Sequence, residues 1–152
     1  MTTPLNEFLT DATQKAMISL VEAYLRLPED KRNWSPMGTA RTAADMLAEC
    51  AVMNDVSGLI RERKIPADFD YAEFQRTKAA LTNDWEALQA LLRQNTSRGI
   101  ASIQTVSAED LKDEIAMPFG TFTLAQIISY PYWNMSYHEG QINYIASMLE
   151  DK

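Results

Sequence analysis

Apolar side chains recur every three or four residues in four separate stretches of this chain, the period of helices that each bury one face. The first stretch carries Leu5, Leu9, Ala12, Ala16, Leu20, Ala23 and Leu27. Thr3 before Pro4 supplies an N-cap and a proline at the first helical position, so a helix is predicted from Pro4 to about Leu27. The segment from Pro28 to Gly38, punctuated by Pro28 and Pro36 and holding Trp34 and Ser35, reads as a loop. A second helix is predicted from about Thr39 to Arg63, with Thr42, Met46, Glu49, Met53, Val56 and Ile60 along one face. Pro66 closes it. Asp70 with Glu73 three residues on is a capping-box signature for a third helix, ending near Asn95, with Phe74, Leu81, Trp85, Leu88 and Leu92 inward.

The stretch from Thr96 to Phe122 has no steady period: Ser107 is placed to cap one short turn, and Glu114 to Met117, followed by Pro118, Phe119 and Gly120, suggests an extended, strand-like connection. Thr123 with Gln126 forms another capping box and opens the fourth helix. Its inward face carries Ile127 or Ile128, Pro131, Met135, His138, Ile142, Ile145 and Leu149, with a kink expected near Ile127 to Pro131. Four amphipathic helices, with a long crossover before the last, predict an all-α four-helix bundle in which each helix buries its stripe against the others. At 152 residues, one domain spanning 1–152 is expected.

Composition narrows the function classes. A net charge of −7 and an isoelectric point near 4.7 repel a phosphate backbone. The nearest thing to a basic cluster, Arg61, Arg63 and Lys64 around Glu62, reads as a solvated helix end, so no nucleic-acid partner is expected. No apolar run approaches the roughly 20 residues needed to span a bilayer, and the first nine residues lack a basic stretch followed by an apolar one. A cytoplasmic protein with no membrane partner is the expectation, and the lone Cys50 agrees with a reducing compartment.

Two helix stripes hold an ionisable residue at their middle: Glu49 between Met46 and Met53, and His138 between Met135 and Ile142. A buried carboxylate needs a partner or water, and His138 is the obvious one. Asn134 and Gln141 flank the imidazole on nearly the same helix face; Cys50, Asn54, Tyr137 and Tyr144 are further candidates for this polar pocket. One reading is a self-satisfied Glu–His–Asn network that sets helix register. The other is a divalent-metal or substrate site inside the bundle, with small-molecule binding. The helix-four aromatics and the eight methionines read first as packing, and Cys50 as an inert thiol.

The loop Trp34-Ser35-Pro36, the run Thr42 to Glu49 and the segment Asn134-Met135-Ser136-Tyr137-His138-Glu139-Gly140-Gln141-Ile142 together resemble the DinB-like superfamily. That superfamily includes bacillithiol S-transferases and mycothiol-dependent isomerases. The resemblance implies a DinB-like four-helix bundle, often a homodimer. Metal-binding members carry one histidine on the second helix and two, four residues apart, on the fourth. The corresponding positions here are Glu49, Asn134 and His138, the implied metal ligands. Because asparagine is a weak ligand for zinc or nickel, a divalent ion (nickel, zinc or manganese) is expected to bind weakly or not at all. If activity remains, the resemblance implies metal-dependent thiol transfer with a low-molecular-weight thiol. The alternative is a non-catalytic dimeric binding or assembly module.

Overall fold

The computed structural model describes residues 2–150, so the ends of the expected 1–152 domain, residues 1 and 151–152, lie outside it. Helix α1 (Pro4–Arg26) starts where the sequence places it: the Thr3 hydroxyl accepts the Asn6 amide, and Pro4 opens the first turn. A single 3-10 turn, Glu29–Lys31, interrupts the loop that follows.

The second predicted helix differs from expectation at both ends. It begins at Ala43 rather than Thr39, because the Thr42 side chain accepts the Asp45 amide and ends the extended approach there. It also divides into α2 (Ala43–Met53) and α3 (Ser57–Glu62) instead of running unbroken to Arg63. At the break the Asp55 carboxylate accepts both the amide and the hydroxyl of Ser57, at 3.1 and 2.5 Å. Such a local side-chain bond competes with the helical ladder. Arg63, expected at a solvated helix end, instead takes a left-handed conformation (φ 55°) and reaches Asp110 and Asp113 at 3.5 and 3.2 Å.

The third predicted helix also divides, into α4 (Tyr71–Leu81) and α5 (Trp85–Ile103). Asp84 causes the restart by accepting the Ala87 amide at 3.0 Å. The expected stop near Asn95 is wrong, since α5 continues to Ile103. Asn95 points inward, not out: its amide donates to the Ala51 carbonyl at 2.8 Å, and the neighbouring Thr96 hydroxyl accepts from Asn54 at 3.0 Å. Phe74, expected in the core, is only half-buried, because α4 lies outside the bundle with Lys78 as its buried residue.

Ser107 accepts the Asp110 amide and opens a 3-10 turn, Asp110–Lys112. The expected extended connection is an antiparallel hairpin of β1 (Glu114–Met117) and β2 (Gly120–Thr123), with Ile115 opposite Phe122. Its turn requires Gly120, at φ 146°. Helix α6 (Leu124–Leu149) begins at the predicted Thr123–Gln126 capping box and carries Pro131 within it, where the Ile127 carbonyl loses its helical partner.

Four helices make the bundle. Pairings such as Tyr24 on Trp85 and Asn6 on Val106 run α1 antiparallel to the α5 side, and Glu49 on His138 with Asn54 on Met135 runs α2 antiparallel to α6. The bonds from Asn95 and Asn54 make α2 and α5 parallel neighbours, and Phe8 on Tyr132 with Arg26 on Asn143 makes α1 and α6 parallel as well. The long connection expected before the last helix is present, and α3–α4 supplies a second one between the parallel helices α2 and α5. The chain is therefore an all-α bundle with one small hairpin. Its core has two parts: Leu20, Leu47, Leu92 and Ile142 in the bundle, and Leu9, Ile103, Ile115 and Ile128 beneath the hairpin. Each of these side chains is almost completely buried and stabilises the fold by about 1.5–3 kcal/mol.

Candidate functional site

Glu49 and His138 meet as the stripes predict. Glu49 Oε1 lies 3.2 Å from His138 Nε2, and the Asn134 amide donates to the same oxygen at 3.4 Å and to Cys50 Sγ at 3.6 Å. His138 Nδ1 lies 2.6 Å from the Gln141 side-chain amide. An ionised carboxylate only accepts, so the imidazole presents Nε2–H to Glu49. Gln141 completes the arrangement in one of two ways: its oxygen accepts from an imidazolium, or its amino group donates to a neutral ring.

The remaining candidates separate. Cys50 is fully buried against Asn134, and burial pushes its thiol well above the ordinary range, so it is a protonated packing residue. Asn54 belongs to a different contact, donating to Thr96 and to Met135 Sδ at 3.2 Å. Tyr137 and Tyr144 face outward, which overturns their placement in the pocket. A helix turns about 100° per residue, and the true inward set, 131, 134, 135, 138, 142 and 145, leaves both tyrosines on the far face.

The sequence reading missed the residue that completes the centre. Arg41 Nη1 lies 2.7 Å from Glu49 Oε2, and its Nε lies 2.5 Å from Asp45 Oδ2. Lys78 of α4 then reaches Asp45 Oδ1 at 3.0 Å. The charges alternate along one path: Lys78, Asp45, Arg41, Glu49, then His138. Burial of Glu49 by itself raises its carboxyl value, but the hydrogen bond from His138 and the charge of Arg41 outweigh it and hold the group at about 2. Asp45 is likewise held low against its burial, by Arg41 and Lys78. Asp45 and Glu49, four apart, share a face of α2, but Arg41 stands in the loop before it, where helical spacing gives no signal.

A divalent ion fits this donor set poorly. One oxygen of Glu49 carries a guanidinium, whose charge repels a second cation, and the other is bonded to His138 and Asn134. Asn134 offers one amide oxygen, a weak ligand for zinc or nickel. Among the described residues, no group of three or more His, Cys, Asp or Glu side chains is placed to hold a metal ion.

Next to this centre is a cleft of about 720 Å³ between α2–α3, the hairpin and α6. Met53, one turn beyond Glu49, and Tyr130, one turn before Asn134, stand between the two. Burial raises the Tyr130 phenol above its ordinary range, with the charge of Glu49 adding to the effect. No helix among the described residues is long and apolar enough to cross a membrane.

Comparison with known proteins agrees with this architecture. A mycothiol-dependent maleylpyruvate isomerase superposes with a TM-score of 0.71 at 12% identity, over 92% of this chain and 61% of its own. The chain thus spans about three-fifths of that relative's length. The colibactin self-resistance protein ClbS, in a complex with double-stranded DNA, superposes at 0.65 with 16% identity, over 95% of this chain and 97% of its own. A protein from Streptococcus pneumoniae superposes at 0.69 with 17% identity, over 99% and 94%. Identities this low speak to the fold alone. The ClbS complex narrows the exclusion of nucleic acid drawn from charge: a protein of this fold is found on a duplex, so the exclusion rests on this chain's own acidity. No protein of curated function matches the chain. A profile of the DinB superfamily matches residues 9–142, and the chain belongs to that superfamily.

Proposed function

We propose that this chain is a single-domain, cytoplasmic DinB-family protein that binds a small molecule in the cleft beside Tyr130, and that its Glu49–Asn134–His138 centre works without a metal. The observation that carries the reading is the Arg41 guanidinium on Glu49, a fixed cation where a metal's charge would otherwise be needed. Glu49, Asn134 and His138 then act as a positioning network. They hold α2 against α6 and set the wall of the cleft that Met53 and Tyr130 share.

The competing reading within the family is metal-dependent thiol transfer, with a divalent ion on Glu49, Asn134 and His138 polarising a low-molecular-weight thiol. The fold shared with the mycothiol-dependent isomerase supports it; the donor set does not. Elemental analysis of untagged protein purified without chelator, with titration of manganese, zinc and nickel against melting temperature, separates the two. The metal-free reading expects substoichiometric metal and no stabilisation in wild type or His138→Ala. Stoichiometric metal that disappears in His138→Ala overturns it.

A second feature bears on assembly. Tyr137, Tyr144 and Met148 line the outer face of α6, away from the cleft, and are 43–68% exposed. An apolar strip of this kind supports a homodimer formed through α6.

A further inference from the structure

We infer that the cleft beside Tyr130 takes an uncharged, planar aromatic molecule, and not an anionic thiol or carboxylic acid. The inference rests on the small-molecule reading above and gives the ligand its chemistry.

Charge decides most of it. Among the described residues, no Asp, Glu, Lys, Arg or His lines the cleft. An anion entering it would lose water and gain no cation in return. Arg41, the cation nearest in sequence to the Glu49 centre, is already committed to Asp45 and Glu49.

Shape and surface supply the aromatic character. Rings from two sides line the space: Phe119 and Phe122 from the hairpin, edge to face at 5.6 Å, and Tyr130 and Trp133 from α6, at 6.0 Å. Met53 and Met117 add flexible, polarisable thioethers, which pack well against aromatic rings. The volume is in the range of sites that enclose a drug-sized ligand.

Polar side chains on the wall are partly engaged by their own helix and cap. Gln126 gives its carbonyl oxygen to the Thr123 amide, and Ser129 donates its hydroxyl to the Ala125 carbonyl. The Tyr130 hydroxyl has no such bond to a described residue, and burial keeps it protonated. The phenol is also near enough to Glu49 and Cys50 to feel their charge, so Tyr130 joins the cleft wall to the buried centre.

The test uses the full-length protein and two naphthalene probes of one ring system. Prodan (6-propionyl-2-dimethylaminonaphthalene) is neutral and carries a ketone acceptor; 6-dimethylamino-2-naphthoate carries a carboxylate instead. Prodan should bind with one-to-one stoichiometry and a blue-shifted emission, and the naphthoate at least tenfold more weakly. Ala125→Trp, which fills the cleft from its α6 wall, should weaken prodan at least tenfold while circular dichroism shows the helices intact. Equal or tighter binding of the naphthoate overturns the inference, as does unchanged prodan affinity in folded Ala125→Trp. Affinity that falls as protein concentration rises also overturns it, because a second copy of the chain then occupies the cleft. Metal content measured on the same samples keeps the two claims apart: stoichiometric metal with unaltered prodan binding defeats the metal-free reading and leaves the ligand assignment standing.

Discussion

Arg41 and His138 grip opposite oxygens of one carboxylate: the guanidinium is 2.7 Å from Glu49 Oε2, and the imidazole Nε2 is 3.2 Å from Oε1. The pair joins the loop before α2 to the middle of α6 through a single side chain. The stability of the bundle and the protonation of Glu49 are therefore linked.

That link sets an acid dependence. Glu49 has an ordinary carboxyl value of 4.5 and a folded value of about 2. A depressed folded value means that its contribution is complete above pH 4.5 and is lost as the pH falls from 4.5 toward 2. Asp45 is shifted in the same direction. Arg41→Met should lower stability at pH 7 by on the order of 1–3 kcal/mol and move the acid midpoint upward. Urea unfolding between pH 3 and 7 reads both effects. Parallel stability profiles for wild type and variant would show that the guanidinium does not hold Glu49 down.

Helix α5 meets the broken end of α2 at Gly99. A Cβ there would lie 2.3 Å from the Asn54 carbonyl oxygen, a backbone atom that cannot swing aside. Gly99→Ala should cost about 2–4 kcal/mol despite the better helix propensity of alanine, the cost of overpacking a rigid contact. Gly58→Ala, where an added Cβ meets open space, serves as the control and should be near neutral or stabilising. Equal melting temperatures for the two variants would contradict the close approach.

Cys50 has no exposure in the fold, and burial raises its thiol. Native protein should resist iodoacetamide, and alkylation should track global unfolding as urea is added. Rapid stoichiometric labelling without denaturant would mean that the wall between α2 and α6 opens.

The outer strip of α6 makes the dimer testable. Tyr137→Glu with Tyr144→Glu places two charges among exposed aromatic residues and should yield monomers with an unchanged melting temperature when diluted. Sedimentation velocity on both proteins decides it; a wild type that is monomeric at every concentration ends the proposal.

The chain's own pattern determined the stripes of the first and last helices, the caps at Thr3, Asp70 and Thr123, and the meeting of Glu49 with His138, because side-chain period and capping chemistry are local. Its motifs also carried the superfamily. The breaks at Asp55 and Asp84 were present as residues but not as breaks, since the same aspartates also sit on ordinary helix surfaces. In the fold each accepts a nearby backbone amide, Ser57 for Asp55 and Ala87 for Asp84, and the helix restarts there. Tertiary structure alone decided that Arg41, from a loop, would reach Glu49, that Lys78 would reach Asp45 from another helix, and that Tyr137 and Tyr144 would face water. These facts depend on how helices are rotated and docked. A period shared by many rotations leaves that to the shape of the whole core.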